Sequence, residues 1–238
     1  MTLPAAFLTL YSGLDREGPG EAADVLWALD RLGVAGPVSV CDAGCGSGAD
    51  CLTLGAALPE ARIEGVEALP HLVAEAGARI SHLPHVRVRQ GDMEALTGPY
   101  DLIWSAGALY FLGVTEGLRR WRDALVPGGA VAFSEPVLLG GAEPEAVRAF
   151  WQDYPRITDI GGIVARVASA GYRSLDVRIV SGAPWAGYYG ALETRIATLR
   201  PGADAEMMAV LDGAAREIAL WRAAPERIAY ALVLARPS

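Results

Sequence analysis

Residues 38–50 of the chain read VSVCDAGCGSGAD, and this stretch decides the fold. A short apolar run ends at the acidic residue Asp42, and three glycines follow at alternate positions, the first of them Gly44. A second apolar run ends in Glu67, about twenty residues after the glycines. This order predicts a strand, a glycine-rich turn, a helix and a second strand closed by a carboxylate, which is the unit that holds adenosine-containing cofactors.

The acidic residue before the glycines indicates which adenosine-containing cofactor the turn binds. In a dinucleotide-binding turn the third glycine usually comes three residues after the second, whereas here the spacing is G-x-G-x-G. A carboxylate at Asp42 would repel a pyrophosphate and attract a cationic group. S-adenosylmethionine carries an ammonium and a sulfonium and no phosphate, so Asp42 favours that cofactor over NAD.

Composition narrows the class of protein. The chain has 238 residues, of which 52% are hydrophobic, enough to bury a substantial core. The formal net charge of -8 argues against a nucleic-acid partner, because such a protein needs a basic face. All 20 positively charged residues are arginine, which excludes Schiff-base chemistry and a Walker-type phosphate lysine.

Cysteine usage and hydropathy bear on metals and location. Cys41, Cys45 and Cys51 cluster around the glycine turn, and no second Cys or His group completes a zinc set, so we expect reduced thiols and no metal. The first residues lack the basic flank and apolar core of a signal peptide, and no window reaches the ~20 apolar residues of a membrane span. We therefore expect a cytoplasmic protein without a membrane partner.

The order of elements predicts an α/β fold. Strand-like runs alternate with helical stretches from 37 to 135, and the Pro127-Gly128-Gly129 run is expected to stop the chain sharply before the fifth strand. Later segments add two more strands. The prediction is a doubly wound, Rossmann-like, seven-stranded, mostly parallel sheet whose last strand is antiparallel, with helical N-terminal and C-terminal cap insertions.

We divide the chain into an N-terminal helical cap, 1–36, and the main domain, 37–238. Two helices between the last two strands, about 184–224, form an insertion that is a natural substrate cover. We expect a monomer or a homodimer.

Five motifs, the glycine stretch among them, carry a resemblance to a known family. They are Val-Cys-Asp-Ala-Gly-Cys-Gly-Ser-Gly at 40–48, Gly-Val-Glu at 65–67, Gly-Asp-Met at 91–93, Asp-Leu-Ile-Trp-Ser at 101–105 and Leu-Val-Pro-Gly-Gly at 125–129. In this order and spacing the chain resembles a class I S-adenosylmethionine-dependent methyltransferase. The stretch 11–20 also resembles a bacterial small-molecule subgroup. The resemblance implies an enzyme that transfers a methyl group from S-adenosylmethionine to a small molecule and releases S-adenosylhomocysteine.

The resemblance assigns cofactor roles by position. Glu67 would accept both ribose hydroxyls, Asp42 would lie near the ammonium, and Asp92 would accept the adenine amino group, although Asp92 also reads as a turn cap. The remaining predicted cofactor residues are Gly44, Gly46, Ala68, Met93, Trp104 and Ser105.

The acceptor side is less determined by sequence. Tyr110, Tyr11 and Glu135 are the candidate catalytic residues, because aromatic faces hold cations and a carboxylate can orient an amine or act as base. Candidate substrate-binding residues are Arg16, Ala106, Trp185, Tyr188 and Tyr189. Similar proteins often carry an acidic residue at position 106, and its replacement by alanine removes one candidate base. His71, His82 and His85 are expected at the opposite edge of the sheet.

Two other functions stay open. A non-catalytic module that binds S-adenosylmethionine would show cofactor affinity without turnover. A nicotinamide-dependent oxidoreductase is disfavoured by the glycine spacing and by Asp42, and binding of NADH would revive it. A nucleic-acid methyltransferase is opposed by the acidic charge and by the Ser-Ala-Gly-Ala sequence at 105–108.

Overall fold

One twisted sheet forms the frame of the protein. The computed structural model describes residues 4–238, and the first three residues of the predicted N-terminal cap lie outside the described residues. Within that range seven strands follow the order β3-β2-β1-β4-β5-β7-β6. The strands are β1 (Ser39–Ala43), β2 (Arg62–Glu67), β3 (Val86–Gln90), β4 (Tyr100–Ser105), β5 (Leu125–Val137), β6 (Tyr172–Val180) and β7 (Ala229–Pro237). β7 runs antiparallel to β5 and β6, and the other pairs are parallel. The predicted fold class is confirmed.

Helices cover both faces of this sheet. They are α1 (Ala5–Tyr11), α2 (Ala22–Leu32), α3 (Ala49–Ala57), α4 (Pro70–Arg79), α5 (Val114–Trp121), α6 (Glu145–Phe150), α7 (Ile160–Ser169), α8 (Ala183–Leu199) and α9 (Ala205–Ala223). One face is packed by α5 and α7, with Trp121 and Ile163 in its core, and the other by α2 and α3, with Val25 and Leu54. A parallel sheet needs such cover on both sides. Among residues 4–238, no helix combines the length and apolarity needed to cross a membrane.

The predicted stop before β5 is wrong, because the strand already begins at Leu125 and runs through the Pro-Gly-Gly sequence. Its register with β4 jumps from the pair Tyr100–Leu125 to the pair Leu102–Ala130, so residues 126–129 form a bulge. A proline cannot donate to the ladder, and Gly128 supplies a φ of 81°, which is how a strand absorbs extra residues without ending.

A third core joins the chain's N-terminal helix to the late helical insertion. Leu10 of α1 packs with Trp185 and Leu192 of α8 and with Ile218 of α9. The helices α8 and α9 lie between β6 and β7 in sequence and cover about the range of the proposed insertion, 184–224. In contrast, α2 packs with the sheet, so the predicted cap at 1–36 is divided between two cores.

Candidate active site

A cleft of about 710 Å³ follows the carboxyl ends of β1, β2 and β4. This is the edge at which doubly wound sheets bind ligands, and the volume lies in the usual range of small-molecule sites. The glycine-loop end of the cleft is lined by Asp42, Gly44, Gly46, Glu67, Ala68, Asp92 and Met93. The aromatic end is lined by Tyr11, Tyr110, Trp151, Tyr154, Trp185, Tyr188, Tyr189, Glu217 and Tyr230.

The glycine loop between β1 and α3 requires its glycines for two reasons. Gly44 has a φ of 76°, and Gly46 has a φ of 53°, a region that residues with a Cβ rarely adopt. A Cβ on Gly44 would also lie 2.5 Å from the Cβ of Ala108, and a Cβ on Gly46 would collide with the carboxylate of Glu17. The loop therefore leaves backbone exposed to the cleft where side chains would fill it.

Two carboxylates hold this loop through its amides. The Gly46 N–H donates to Glu67 Oε2 at 3.0 Å, and the Ser47 N–H donates to Glu17 Oε2 at 2.9 Å. Glu67 Oε1 accepts a second backbone bond from the Leu69 N–H at 2.9 Å. Glu67 is thus fixed at the end of β2 with its carboxylate against the cleft, where the sequence predicts ribose contacts.

Asp42 is more deeply buried than the sequence suggested. Its side chain is 2% exposed, and the Cys51 thiol donates to its Oδ2 at 3.2 Å. Burial, together with the negative charge of Asp50, raises the pKa of Asp42 from 3.8 to about 8. Asp42 is predicted from sequence as an ionised carboxylate, whereas its surroundings favour the protonated form.

Asp92 combines the two roles that the sequence left open. Its Oδ1 accepts the Glu94 N–H at 2.8 Å and so caps the short 3-10 helix Met93–Ala95. The exposed Asp92 side chain also lines the cleft, beside Met93. A cap position therefore presents a carboxylate to the cleft at the end of β3.

Arg16 lies in the cleft, but its charge is paired. Its guanidinium donates to Asp50 Oδ1 at 2.6 Å, and the indole N–H of Trp104 donates to Asp50 Oδ2 at 2.8 Å. The predicted contact of Arg16 with a ligand carboxylate must therefore compete with Asp50.

Trp104 and Ser105 need correction, because both are buried outside the lining of the cleft. β4 continues through Ser105, whose hydroxyl donates to the Ala43 carbonyl at 2.9 Å. The cleft begins only where this strand ends, at Ala106, which lines it as predicted for a substrate contact.

The aromatic end is a chamber of packed rings. Ring centroids lie 4.9 Å apart for Trp185 and Tyr230, 5.1 Å for Tyr188 and Tyr189, and 5.9 Å for Tyr110 and Tyr154. The predicted residues Tyr11, Tyr110, Trp185, Tyr188 and Tyr189 all line it.

The phenols of this chamber are neutral. Burial, followed by the charge of Glu217, raises the pKa of Tyr11 and that of Tyr110 to about 12. The two predicted catalytic tyrosines therefore keep their protons at neutral pH. They offer hydroxyl groups and ring faces and are unsuited to act as bases.

Glu135 also departs from its predicted position. β5 extends to Val137, so Glu135 lies within the strand, opposite Ala231 of β7, and is 0% exposed. Neighbouring side chains of a strand face opposite sides, and it is Pro136 that lines the cleft. Glu135 Oε1 instead accepts the Tyr154 O–H at 2.7 Å. This carboxylate lies outside the lining of the cleft and orients a tyrosine that belongs to the lining.

Several cleft residues were not predicted from sequence. Tyr154, Glu217 and Tyr230 come from segments that carry no motif and line the cleft only in the folded chain, and Glu17 lies in the stretch 11–20 but was not singled out. His71 was expected at the opposite edge of the sheet, yet it lines the cleft, because α4 begins directly after β2. The order of β2 and α4 in the sequence could therefore have placed His71 at the cleft. Within residues 4–238 no group of His, Cys, Asp and Glu is arranged to hold a metal ion.

Comparison with known proteins agrees with this architecture. Residues 40–129 match a family model described as a methyltransferase domain. Trans-aconitate 2-methyltransferase of Deinococcus radiodurans is 34% identical over 125 residues, which are 52% of this chain and 46% of that protein. The chain thus spans about half the length of the curated relatives it matches.

Solved structures match over the whole chain. A methyltransferase of Geobacter sulfurreducens, solved with S-adenosylhomocysteine, superposes with a TM-score of 0.85 at 18% identity and covers 99% of both chains. A Thiobacillus denitrificans methyltransferase superposes with a TM-score of 0.83 at 18% identity and covers 100% of both. The sheet order and the glycine-loop cleft define a Rossmann-like methyltransferase architecture. Residues 40–129 therefore belong to a methyltransferase domain family, and the chain as a whole has the Rossmann-like fold of the matching methyltransferase structures.

Proposed function

We propose that this protein transfers a methyl group from S-adenosylmethionine to a small-molecule acceptor. The observation that carries the proposal is the continuity of one cleft, which joins a glycine loop with strand-end carboxylates to an aromatic chamber. The first part has the layout of a nucleoside site and the second that of an acceptor site. The acidic net charge of -8 favours a small acceptor over a nucleic acid.

The residues present fit this cofactor. The φ values and close neighbours of Gly44 and Gly46 leave a cradle of backbone at the strand ends. Glu67, whose two oxygens are oriented by backbone amides, would accept the two ribose hydroxyls. Asp42 would meet the ammonium, and Asp92 with Met93 the adenine.

The charges of the side chains that line the cleft also disfavour a phosphorylated cofactor. Among the described residues that line the cleft, the one arginine is Arg16, and it is already paired with Asp50. Carboxylates therefore dominate the glycine-loop end. Such an end suits a nucleoside with a cationic tail better than a pyrophosphate.

The chain's own contribution to the reaction is positioning and exclusion of water. When bound, S-adenosylmethionine supplies an electrophilic methyl group on a sulfonium. The aromatic walls at Tyr11, Tyr110 and Tyr188 would hold the acceptor in line with that group and remove its solvent. The helices α8 and α9, which build much of the chamber, serve as the cover of the acceptor.

The experiment is a coupled assay for release of S-adenosylhomocysteine across a panel of metabolites, with purified full-length protein. We expect acceptor-dependent release with at least one small molecule. Binding of S-adenosylmethionine without turnover on any acceptor would instead favour the non-catalytic module. Binding of NADH in the same cleft would support the oxidoreductase.

A further inference from the structure

We propose that the aromatic end of the cleft binds a primary or secondary amine in its cationic form, carried on an apolar or aromatic body, with Glu217 as its counter-charge. This inference rests on the proposed methyltransferase function and names the class of acceptor. No sequence motif marks Glu217, which lies in α9, within the helical insertion.

Glu217 is a carboxylate in an aromatic chamber. It lines the cleft, and its Oε1 accepts the Tyr189 O–H at 2.8 Å. Within residues 4–238 no Arg or His makes an ion pair with it. Burial raises its pKa, and the Tyr189 hydrogen bond lowers it in part. Glu217 is half-buried, and a carboxylate that is partly withdrawn from water gains from a cationic partner, which a ligand in the cleft can supply.

The rings around Glu217 favour a cation as well. Its charge acts on Tyr11, Tyr110, Tyr188 and Tyr189, and in each of them it supports a raised pKa. The phenols are therefore neutral, and their faces present negative potential toward the chamber. An ammonium beside neutral aromatic faces and one carboxylate combines cation-π attraction with charge pairing.

The distribution of cations argues against an acidic acceptor. Among the described residues lining the cleft, the one Arg, Arg16, and the one His, His71, belong to the segments that bear the glycine-loop end. Arg156 is not among the residues that line the cleft; it donates to the Tyr110 carbonyl at 3.3 Å and lies 5.9 Å from the centroid of the Tyr154 ring. An acceptor with several carboxylates, such as trans-aconitate, would find Glu217 and, among the described residues that line the aromatic end, no arginine.

The transfer step balances with these groups. The bound ammonium gives one proton to the Glu217 carboxylate and becomes a neutral amine. The amine lone pair then forms the nitrogen–carbon bond to the methyl group, while the carbon–sulfur bond breaks and its electron pair stays on sulfur. The nitrogen is left cationic, and Glu217 returns its proton to solvent when product leaves.

The test uses three probes with one body and different charge: 2-phenylethylamine, 2-phenylethanol and 3-phenylpropionate. Each is titrated by calorimetry into the full-length protein saturated with S-adenosylhomocysteine. We expect the amine to bind about tenfold more tightly than the alcohol and the carboxylate. The Glu217→Gln variant keeps an acceptor for Tyr189 and should bind the amine no better than the alcohol.

Glu206→Gln is the matched control, because this exposed acid lies on the same helix and outside the cleft. It should leave the preference for the amine unchanged. Amine binding no tighter than alcohol binding, including failure of both to bind, overturns the proposal, as does an unchanged preference in Glu217→Gln. Because the binding of S-adenosylhomocysteine is measured first, its failure would instead count against the proposed function itself.

Discussion

The substitution Glu135→Gln gives a sharp test of the reasoning about buried charge. Burial raises the pKa of Glu135 from 4.5 to about 7, although the Tyr154 O–H and the Arg166 guanidinium oppose the shift. The folded state therefore holds this proton more tightly than the unfolded state does. For an acid with a raised pKa, the free energy of unfolding falls as pH rises from the unfolded pKa to the folded one.

The magnitude follows from the shift. Ionisation of Glu135 should lower the free energy of unfolding by about 2–3 kcal/mol between pH 5 and pH 8. Glu135→Gln has no titrating group at this position and still offers an oxygen to Tyr154. Whatever its absolute stability, its pH dependence should be smaller than that of the natural protein by about that amount.

The assay is urea unfolding of both proteins at pH 5 and pH 8. For each protein the free energy of unfolding at pH 8 is subtracted from that at pH 5, and these two changes are compared. Glu60→Gln, at an exposed position, serves as control and should follow the natural protein at both values. Other buried acids, Asp42 among them, contribute in the same direction in all three proteins and cancel. An identical pH dependence in Glu135→Gln would refute the assignment of a raised pKa to this residue.

Two further predictions concern the glycine-loop end. Gly44→Ala should lower the free energy of unfolding by about 1–2 kcal/mol because of the positive φ alone. The clash of the new Cβ with Ala108 should also weaken the binding of S-adenosylhomocysteine. The control is Gly187→Ala, where a Cβ meets open space in α8, and neither urea unfolding nor calorimetry should show a loss. Binding of S-adenosylhomocysteine near pH 7 should release about one proton from Asp42, detected as calorimetric heats that vary with the buffer; equal release by Asp42→Asn would contradict this origin.

The glycine-loop end was predictable because its determinants are local. The strand, the glycines and the following helix lie within residues 38–57, and the periodicity and φ requirements act over that same stretch. Glu67 ends β2 and Asp92 comes soon after β3, so the resemblance could place both at the one edge where parallel strands of a doubly wound sheet end.

The aromatic end was only partly predictable, because its residues meet through tertiary packing. Tyr11 comes from α1, Tyr154 from the segment after α6, Glu217 from α9 and Tyr230 from β7. Aromatic residues in these segments serve core and site equally well, so pattern alone does not separate the two. An acid inside a long helix such as Glu217 looks like part of a solvated face until the opposing helix is in place.

The misplaced residues have a common cause in strand length. β4 ends at Ser105 and β5 at Val137. Trp104, Ser105 and Glu135 were assigned to the cleft near the ends of these strands, but all three are buried within the strands, and Ala106 and Pro136 line the cleft instead. Alternation predicts the cleft only when the last residue of the strand is known.

The most direct test of the central claim is calorimetric titration of the protein with S-adenosylhomocysteine, with Glu67→Ala and exposed Glu60→Ala as matched variants. The natural protein and Glu60→Ala should bind one ligand per chain, and Glu67→Ala should bind more weakly by about 1.5–3 kcal/mol, the scale of hydrogen bonds to a charged group. No binding of S-adenosylhomocysteine, or binding that NADH displaces, would contradict the assignment of this cleft to a cationic nucleoside donor.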